Sequence, residues 1–251
     1  MNKICVLYFT NTEYSDIWIP GIDRFNKYFK DEIQLPFYFL VNKEYEEKDK
    51  DKDFITNISS KIFKYENSWS YSKRLLSVLN SITEDYVIIF HDNNVLDKPI
   101  NKKVFIMLED FLRNNNVDQL RLSNSGITVK DLNNVKNKVE MEGVDIYKID
   151  KNDIYQYSVL PAIWLRTTWI KLLNMVPNAT YREIEWSNVQ ELTRPLNNYH
   201  LNYDETNNII FPAFHVIHYG RWFVQFKEIA NVIYRLSDEY KIDLNKRGFF
   251  V

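Results

Sequence analysis

A short apolar run that ends abruptly in polar residues constrains this chain more than any other feature. Residues 86–90 are all apolar, and β-branched and aromatic types dominate, which is typical of a strand buried on both faces, as in a parallel sheet. The run stops at residues 91–94, His-Asp-Asn-Asn, which form hydrogen bonds or bind metals and pack poorly in a core. Ligands of open α/β sheets bind just outside the carboxyl ends of strands, so chemistry is first expected at this junction.

Apolar periodicity predicts an alternation of strands and helices through the first half of the chain. Strands are expected at 3–9, 36–41, 61–65, 86–90 and 119–122, and helices at 17–29, 70–81 and 101–114. The second half is less regular, with a hairpin insert at 124–152, strands at 158–165 and 209–219, and helices at 167–173, 181–192 and 224–240. The alternation predicts one α/β domain with a mainly parallel sheet, flanked by helices, and a C-terminal extension.

Composition excludes several classes of protein. The 251 residues are 45% hydrophobic and 16% aromatic, enough to bury a sizeable core. A net charge of -2 disfavours a nucleic-acid-binding surface, and neither a P-loop nor a dinucleotide fingerprint is present. The single cysteine, Cys5, excludes an internal disulfide and fits a reducing compartment. With neither a membrane-length apolar run nor a signal-peptide pattern, we expect a cytoplasmic protein without a transmembrane segment.

The polar junction at residues 91–94 allows two readings. Asp92 offers a hard oxygen ligand, Asn93 and Asn94 offer amide carbonyls, and His91 offers an imidazole, so a divalent cation could bind. Alternatively, the same residues form a turn in which Asp and Asn side chains bond to their own backbone. Spacing alone leaves both readings open.

Seven short sequence pieces, taken in order, resemble glycosyltransferases of the GT-A type, especially small bacterial and viral members. They are Thr10 with Asp16, and residues 69–74, 86–96, 120–122, 157–164, 182–185 and 220–222. These enzymes use nucleotide-sugar donors and have a Rossmann-like core with acidic residues after a central strand. The resemblance implies one GT-A-like domain over 1–251, with a nucleotide-binding half, 1–122, and an acceptor-side half with the C-terminal helix, 123–251.

The resemblance also implies roles on the donor side. Asp16 is a candidate for contact with the base or ribose. Trp69 and Arg74 would lie near the nucleotide or its diphosphate, and the planar fork of arginine suits phosphate. Asp92 would be the acid on the metal side. The implied donor-binding residues are Thr10, Asn11, Asp16, Trp69, Arg74, Asp92 and Asn94.

On the acceptor side, the resemblance implies that Tyr157 and Trp164 line the sugar or acceptor cleft. Glu185 or Glu183 would be the general base that deprotonates the acceptor hydroxyl. His215 or His218 could complete the metal or diphosphate site. The expected partners are a nucleotide-sugar donor and a glycan or glycoconjugate acceptor, with no nucleic acid.

One departure from the family pattern concerns the metal. Relatives carry paired acids where this chain has Asp92 followed by Asn93 and Asn94, and an amide ligand carries no charge to attract Mn²⁺ or Mg²⁺. The implied metal set is Asp92, Asn94 and His218. Two functions follow: a glycosyltransferase that moves a sugar from a nucleoside-diphosphate donor to a hydroxyl, or a catalytically degenerate nucleotide- or carbohydrate-binding module of the same fold.

Overall fold

The computed structural model describes residues 4–30, 33–45, 51–122, 138–141, 144–153, 155–201 and 211–251. The strands are β1 Ile4–Phe9, β2 Phe37–Asn42, β3 Lys61–Tyr65, β4 Tyr86–His91, β5 Asn94–Leu96, β6 Gln119–Arg121, β7 Lys138–Met141, β8 Val144–Lys148, β9 Ala162–Leu165, β10 Asn198–Leu201, β11 Ala213–His215, β12 Ile217–His218, β13 Arg221–Phe223 and β14 Phe249–Phe250. The α-helices are α1 Trp18–Phe25, α2 Asp51–Ile58, α3 Tyr71–Leu79, α4 Lys102–Asn114, α5 Arg166–Met175, α6 Ser187–Thr193 and α7 Lys227–Tyr240.

Nine of these strands form one mixed sheet in the order β3-β2-β1-β4-β9-β6-β10-β8-β7. Strand β1 lies parallel to both β2 and β4, while β9 runs antiparallel between β4 and β6. Only β9 and β8 oppose the direction of the other seven strands. The mainly parallel sheet predicted from the sequence is therefore confirmed, and the carboxyl ends of β1, β2, β4, β6 and β10 meet at one edge.

The sheet is buried on both faces at β1 and β4, whose side chains are apolar from Ile4 to Phe9 and from Tyr86 to Phe90. In β4, Ile88 and Phe90 pack toward α1 and α4, while Val87 and Ile89 pack toward α3 and α5. Each buried side chain of this size contributes roughly 1.5–3 kcal/mol relative to exposure. Helix α3 begins where Ser70 Oγ accepts a hydrogen bond from the backbone N–H of Lys73, a normal N-cap.

Two of the predicted elements that differ from the structure lie near the polar edge. The strand expected at 158–165 contains only Ala162–Leu165, because Ser158 Oγ accepts from the N–H of Leu160 and turns the chain. The helix expected at 181–192 is divided into a 3₁₀ turn, Glu183–Glu185, and α6. The break lies at Trp186, whose backbone is extended.

The C-terminal elements build a small cluster beside the sheet. Strand β5, which the sequence analysis missed, pairs with β11, and β12, β13 and β14 form a three-stranded sheet. Trp222 packs there against α7. The predicted hairpin insert is confirmed where β7 pairs with β8, whereas 124–137 and 209–210 lie outside the described residues. No helix in the described ranges combines the length and apolar character needed to cross a bilayer.

Candidate functional site

Three residues at the ends of β1, β3 and β4 form what we call the Asp92 corner: Thr10, Tyr65 and Asp92. Thr10 Oγ1 donates a hydrogen bond to Asp92 Oδ2 at 2.5 Å and accepts one from Trp18 Nε1, also at 2.5 Å. Tyr65 Oη donates to the backbone carbonyl of Thr10 at 2.8 Å. The parallel pairing of β1 with β4 brings these groups together, because Phe9 and His91 are register partners immediately before Thr10 and Asp92.

Asp92 titrates far from its ordinary range. It is 8% exposed, and burial raises the pKa of its carboxyl group to about 7. Hydrogen bonds from Thr10 and from the backbone of Asn11 and Asn93 oppose the shift, since they favour the carboxylate. A carboxyl group that changes charge near neutrality, at the carboxyl edge of a parallel sheet, is a candidate for chemistry.

Arg74 lies next to the Asp92 corner, as predicted, but its donors serve its own loop. Its guanidinium lies 4.5 Å from the centre of the Tyr65 ring. Nε donates to the Trp69 carbonyl at 2.8 Å and Nη2 to the Asn67 carbonyl at 2.7 Å. Trp69 is half-buried, and Lys73 Nζ lies 4.8 Å from the centre of its ring. Arg74 therefore borders the corner directly, and Lys73 lies beside Trp69 on the same helix, α3.

The loop between β1 and α1 is fixed on its inner side by Asn42, a residue that sequence reasoning missed. Asn42 Oδ1 accepts from the N–H of Thr12 at 2.8 Å, and its Nδ2 donates to Thr12 Oγ1 at 2.9 Å. Asn11 caps the following 3₁₀ turn by accepting from the N–H of Glu13 at 2.9 Å. Asn42 ends β2, so the strand-end rule that selected Asp92 could also have found it.

The same loop is held on its outer side by the C-terminal segment. Arg247 binds the Asp16 carboxylate with two nitrogens, Nε at 2.9 Å and Nη2, and donates to the Glu13 carbonyl at 2.9 Å. Its guanidinium also lies 4.6 Å from the centre of the Tyr14 ring. Asp16, predicted to contact the base or ribose, is thus paired with an arginine that the sequence analysis did not consider.

Glu185 lies in a turn, residues 180–186, that packs against α3 through the contact of Tyr181 with Tyr71. Its Oε1 accepts from the N–H of Val159 at 2.8 Å. Burial raises the pKa of its carboxyl group, although the hydrogen bonds from Val159 and Ser158 and the charge of Arg121 partly offset that rise. A half-buried carboxylate with a raised pKa is suited to accept a proton from a hydroxyl.

Tyr181 connects the Glu185 turn to the Asp92 corner. Its ring centre lies 5.5 Å from that of His91 and 5.3 Å from that of Tyr71. Burial raises the pKa of Tyr181, and the carboxylates of Glu185 and Asp92 raise it further, so both act on the same phenol. Tyr65 similarly lies within the fields of Arg74 and Asp92. Asp92, Arg74 and Glu185, which the sequence analysis expected to share one cleft, are thus related through these two tyrosines: Arg74 lies over the Tyr65 ring, and Tyr181, which belongs to the Glu185 turn, contacts His91 next to Asp92.

His91 is a buried neutral group rather than a charged ligand. Its Nε2 lies 2.8 Å from Tyr71 Oη, and burial lowers the pKa of the imidazole to about 3. The contact between His91 and Tyr71 fixes the end of β4 against α3, which supports the neighbouring Asp92.

Three other predicted residues have structural partners. Glu183 Oε2 accepts from the N–H of Thr180 at 2.8 Å, and this hydrogen bond lowers the pKa of the carboxyl group. Of the two candidate bases, Glu185 is therefore the one with a raised pKa, and Glu183 stabilises the turn through its hydrogen bond with Thr180. Trp164 is 0% exposed and stacked on Trp169, so it presents no ring face to a sugar. Tyr157 is buried beside it, where its Oη accepts from Trp169 Nε1 at 3.2 Å.

The predicted metal set does not fit a divalent cation well. Asp92 is its only carboxylate, and Asn94 is buried with its amide donating to Asn93 Oδ1 at 2.6 Å. His218 packs against Phe250, with ring centres 4.8 Å apart. Within the described residues, no three His, Cys, Asp or Glu side chains are grouped so that they could hold an ion.

Comparison with known proteins identifies the fold. No family model and no curated protein match the chain. Solved structures do: a cytidylyltransferase from Leptospira borgpetersenii has a TM-score of 0.51 and 13% identity over 98% of both chains. S. aureus TarS 1–349 has a TM-score of 0.52 and 14% identity over 80% of this chain, which spans 58% of that TarS chain. TarS 1–349 in complex with UDP has a TM-score of 0.53 and 11% identity over 98% of this chain and 68% of that one.

The chain has a GT-A-like fold. This confirms the fold class predicted from the sequence. The division into a nucleotide-binding half, 1–122, and an acceptor-side half, 123–251, stays a prediction. The Asp92 corner lies at the carboxyl edge of the parallel strands, where open α/β sheets bind ligands, and the Glu185 turn reaches that edge through the contact of Tyr181 with His91.

Proposed function

We propose that this protein is a glycosyltransferase that moves a sugar from a nucleoside-diphosphate donor to a hydroxyl of a glycan or glycoconjugate acceptor. The observation that carries the proposal is the position of Asp92 between two tyrosines: Tyr65, which bonds to Thr10 and lies under Arg74, and Tyr181, which belongs to the Glu185 turn and contacts His91. The structural likeness to TarS, a glycosyltransferase with UDP and UDP-GlcNAc complexes, supports a nucleotide-sugar donor.

The donor side supplies groups for a nucleotide and its diphosphate. The loop from Asn11 to Asp16, fixed by Asn42 and Arg247, forms a rigid wall for a nucleoside. Negative charge builds on the diphosphate as the glycosidic bond breaks, so cations beside it lower the barrier. Arg74, which borders the Asp92 corner, and Lys73, which lies over the Trp69 ring, are the candidates for that role. Arg74 would exchange its loop carbonyls for phosphate oxygens.

The acceptor side requires a group that removes a proton as the hydroxyl attacks the sugar. Glu185 suits this role because its carboxylate is half-buried and its pKa is raised toward neutrality. The hydrogen bonds from the N–H of Val159 to Oε1 and from the Ser158 side chain hold the carboxyl group in place. A general base of this kind contributes typically about 10²–10⁴-fold to the rate.

A second function has an observation in its favour. Asp92 carries a proton near neutral pH and is followed by amides rather than acids, as expected in a site that binds a nucleotide or sugar without turnover. A degenerate binding module of the same fold would bind uridine or guanosine diphosphate normally. It would transfer no sugar, and Glu185 would be dispensable.

The test compares Glu185→Gln with Glu183→Gln, a matched change two residues away in the same turn. Wild-type protein is assayed for donor hydrolysis and transfer with a panel of nucleotide sugars, and UDP and GDP binding is measured by calorimetry. We expect Glu185→Gln to lose transfer by about 100-fold or more with unchanged nucleotide affinity, and Glu183→Gln to keep transfer. Nucleotide binding without turnover would favour the binding module, and no binding of any nucleotide would contradict both functions.

A further inference from the structure

A buried arginine lies on the acceptor side of the edge without hydrogen-bond partners for two of its nitrogens. Arg121 ends β6 and is 2% exposed. Its Nε and Nη2 have no partner in the part of the chain that the structure describes. Burial lowers the pKa of its guanidinium to about 10, so the group stays charged at neutral pH. A buried charge without a hydrogen-bonded partner is strongly destabilising, so a complementary anion is the natural occupant.

The two acids whose charges act on Arg121 do not hydrogen-bond to its unpaired nitrogens. Asp153 and Glu185 both act on the charge of Arg121, but neither carboxylate bonds to Nε or Nη2. Asp153 Oδ1 accepts instead from the N–H of Tyr155 at 2.7 Å, and Glu185 Oε1 accepts from Val159. Both acids therefore accept hydrogen bonds from backbone groups, Asp153 within its own loop and Glu185 from the neighbouring segment that contains Val159.

The strands on either side of Arg121 add no competing charge. In β10 the register partner is His200, and burial lowers the pKa of its imidazole to about 4, so it is neutral at pH 7. In β9 the partner is Ala162, which contributes only a methyl group. The guanidinium is thus the only positive charge among these neighbours.

More unpaired donors continue along the same face of the sheet. Gln119 lies two residues before Arg121 in β6, and neither atom of its buried amide has a partner in the described ranges. Its register partner Trp164 has an indole Nε1 that is also unpaired there. Unpaired buried donors concentrated in one place indicate a bound group that the protein alone does not supply.

We infer that Arg121, with Gln119 and Trp164 behind it, forms a subsite for an acidic group, a carboxylate or a phosphate, carried by the acceptor. The inference rests on the proposed function, because it takes Glu185 as the base that meets the acceptor hydroxyl. An acidic group held by the planar fork of Arg121 would present a neighbouring hydroxyl of the same molecule to Glu185. The substrate class is therefore an acidic saccharide or a phosphorylated polyol rather than a neutral sugar.

Paired probes test the subsite without any transfer reaction. Calorimetry on the wild-type protein compares glucuronate with glucose, and glycerol 3-phosphate with glycerol. We expect one acid to bind about tenfold or more tightly than its neutral twin, and the pair that shows this distinguishes a carboxylate from a phosphate. If neither acid binds more tightly than its twin, the pocket holds only water and the inference is overturned.

Variants then assign the preference to Arg121. Arg121→Met should abolish it, Arg121→Lys should keep part of it, and Arg113→Met, a change at an exposed arginine of α4, should keep all of it. If Arg121→Met also loses UDP affinity, Arg121 belongs to the donor diphosphate and the inference fails. If Arg121→Met does not fold, the inference is still tested by the wild-type probe pairs and by the weakened preference expected in Arg121→Lys. Acid binding without any nucleotide binding would contradict the proposed function and leave the subsite standing.

Discussion

The Thr10 hydroxyl donates a 2.5 Å hydrogen bond to Asp92 and so joins the ends of β1 and β4. The same oxygen accepts from Trp18 Nε1, which places one small side chain between an indole on α1 and an acid after β4. Because all three groups are buried, no water replaces a bond that is lost. The Asp92 corner therefore depends on Thr10 for both its geometry and its charge.

Replacing Thr10 should expose that dependence. Thr10→Val keeps the shape but leaves the Trp18 donor and the Asp92 acceptor unpaired, so we expect the free energy of unfolding to fall by about 1–3 kcal/mol. Thr10→Ser retains the hydroxyl and should cost less. Urea denaturation measures both. Equal losses in the two variants would show that the methyl group, and not the hydrogen bonds, stabilises the corner.

The titration of Asp92 predicts how stability changes with pH. The folded pKa of about 7 lies above the ordinary 3.8, so between these values the folded protein keeps a proton that the unfolded chain releases. The free energy of unfolding therefore falls as pH rises from 4 to 7, by at most about 4 kcal/mol. Below about pH 4, Asp92 is protonated in both states and no longer makes the free energy of unfolding depend on pH.

Asp92→Asn removes that group and should flatten the pH dependence. Relative to wild type, the variant should gain stability from pH 4.5 to about pH 7 and then level off, because only in the wild type does the unfolded chain release a proton that the folded protein keeps. Urea midpoints measured in EDTA for both proteins isolate the effect of Asp92 from other titrating groups. Parallel curves for the two proteins would mean that the carboxyl group titrates normally.

Residues 86–94 illustrate why much of the fold could be predicted from the sequence. The run of apolar residues fixes a strand buried on both faces, and a parallel arrangement then brings the ends of β1 and β4 to one edge. That reasoning needs only local pattern, and the structure places Thr10 and Asp92 immediately after β1 and β4, as expected; their roles stay predictions. It could not reveal that β9 runs antiparallel between β4 and β6, since a run of apolar residues is compatible with either strand direction.

The site itself was less predictable because its residues depend on partners distant in sequence. Arg247 reaches Asp16 from the far end of the chain, and nothing local marks that pair. Trp164 seemed suited to a sugar, but an aromatic residue in a buried strand packs in the core. Arg121 was detectable: a charged residue inside an apolar strand rarely occurs without a role.

The bond between Arg247 and Asp16 predicts a link between the C-terminal segment and nucleotide binding. Both side chains are mostly buried, so Arg247→Met leaves a carboxylate unpaired and should cost roughly 1–3 kcal/mol. Amide hydrogen exchange across residues 12–17 should speed up, and UDP affinity should fall. Arg113→Met breaks an exposed ion pair with Asp110 and should cost less than about 1 kcal/mol. If UDP affinity is unchanged in Arg247→Met, the loop is not the nucleoside wall.

The amides after Asp92 predict weak dependence on divalent cations and a way to create it. With one carboxylate among the ligands, UDP affinity in EDTA and in Mn²⁺ should differ by less than about threefold.

Asn94→Asp adds a second carboxylate two residues from Asp92, and its buried charge should require a cation. We expect that variant to show an Mn²⁺-dependent rise in melting temperature and about tenfold tighter UDP binding with Mn²⁺ than in EDTA. The melting measurement remains informative if the variant is unstable without metal. A wild-type protein that binds UDP only with Mn²⁺ would show instead that Asp92 and its amide neighbours suffice to hold the ion.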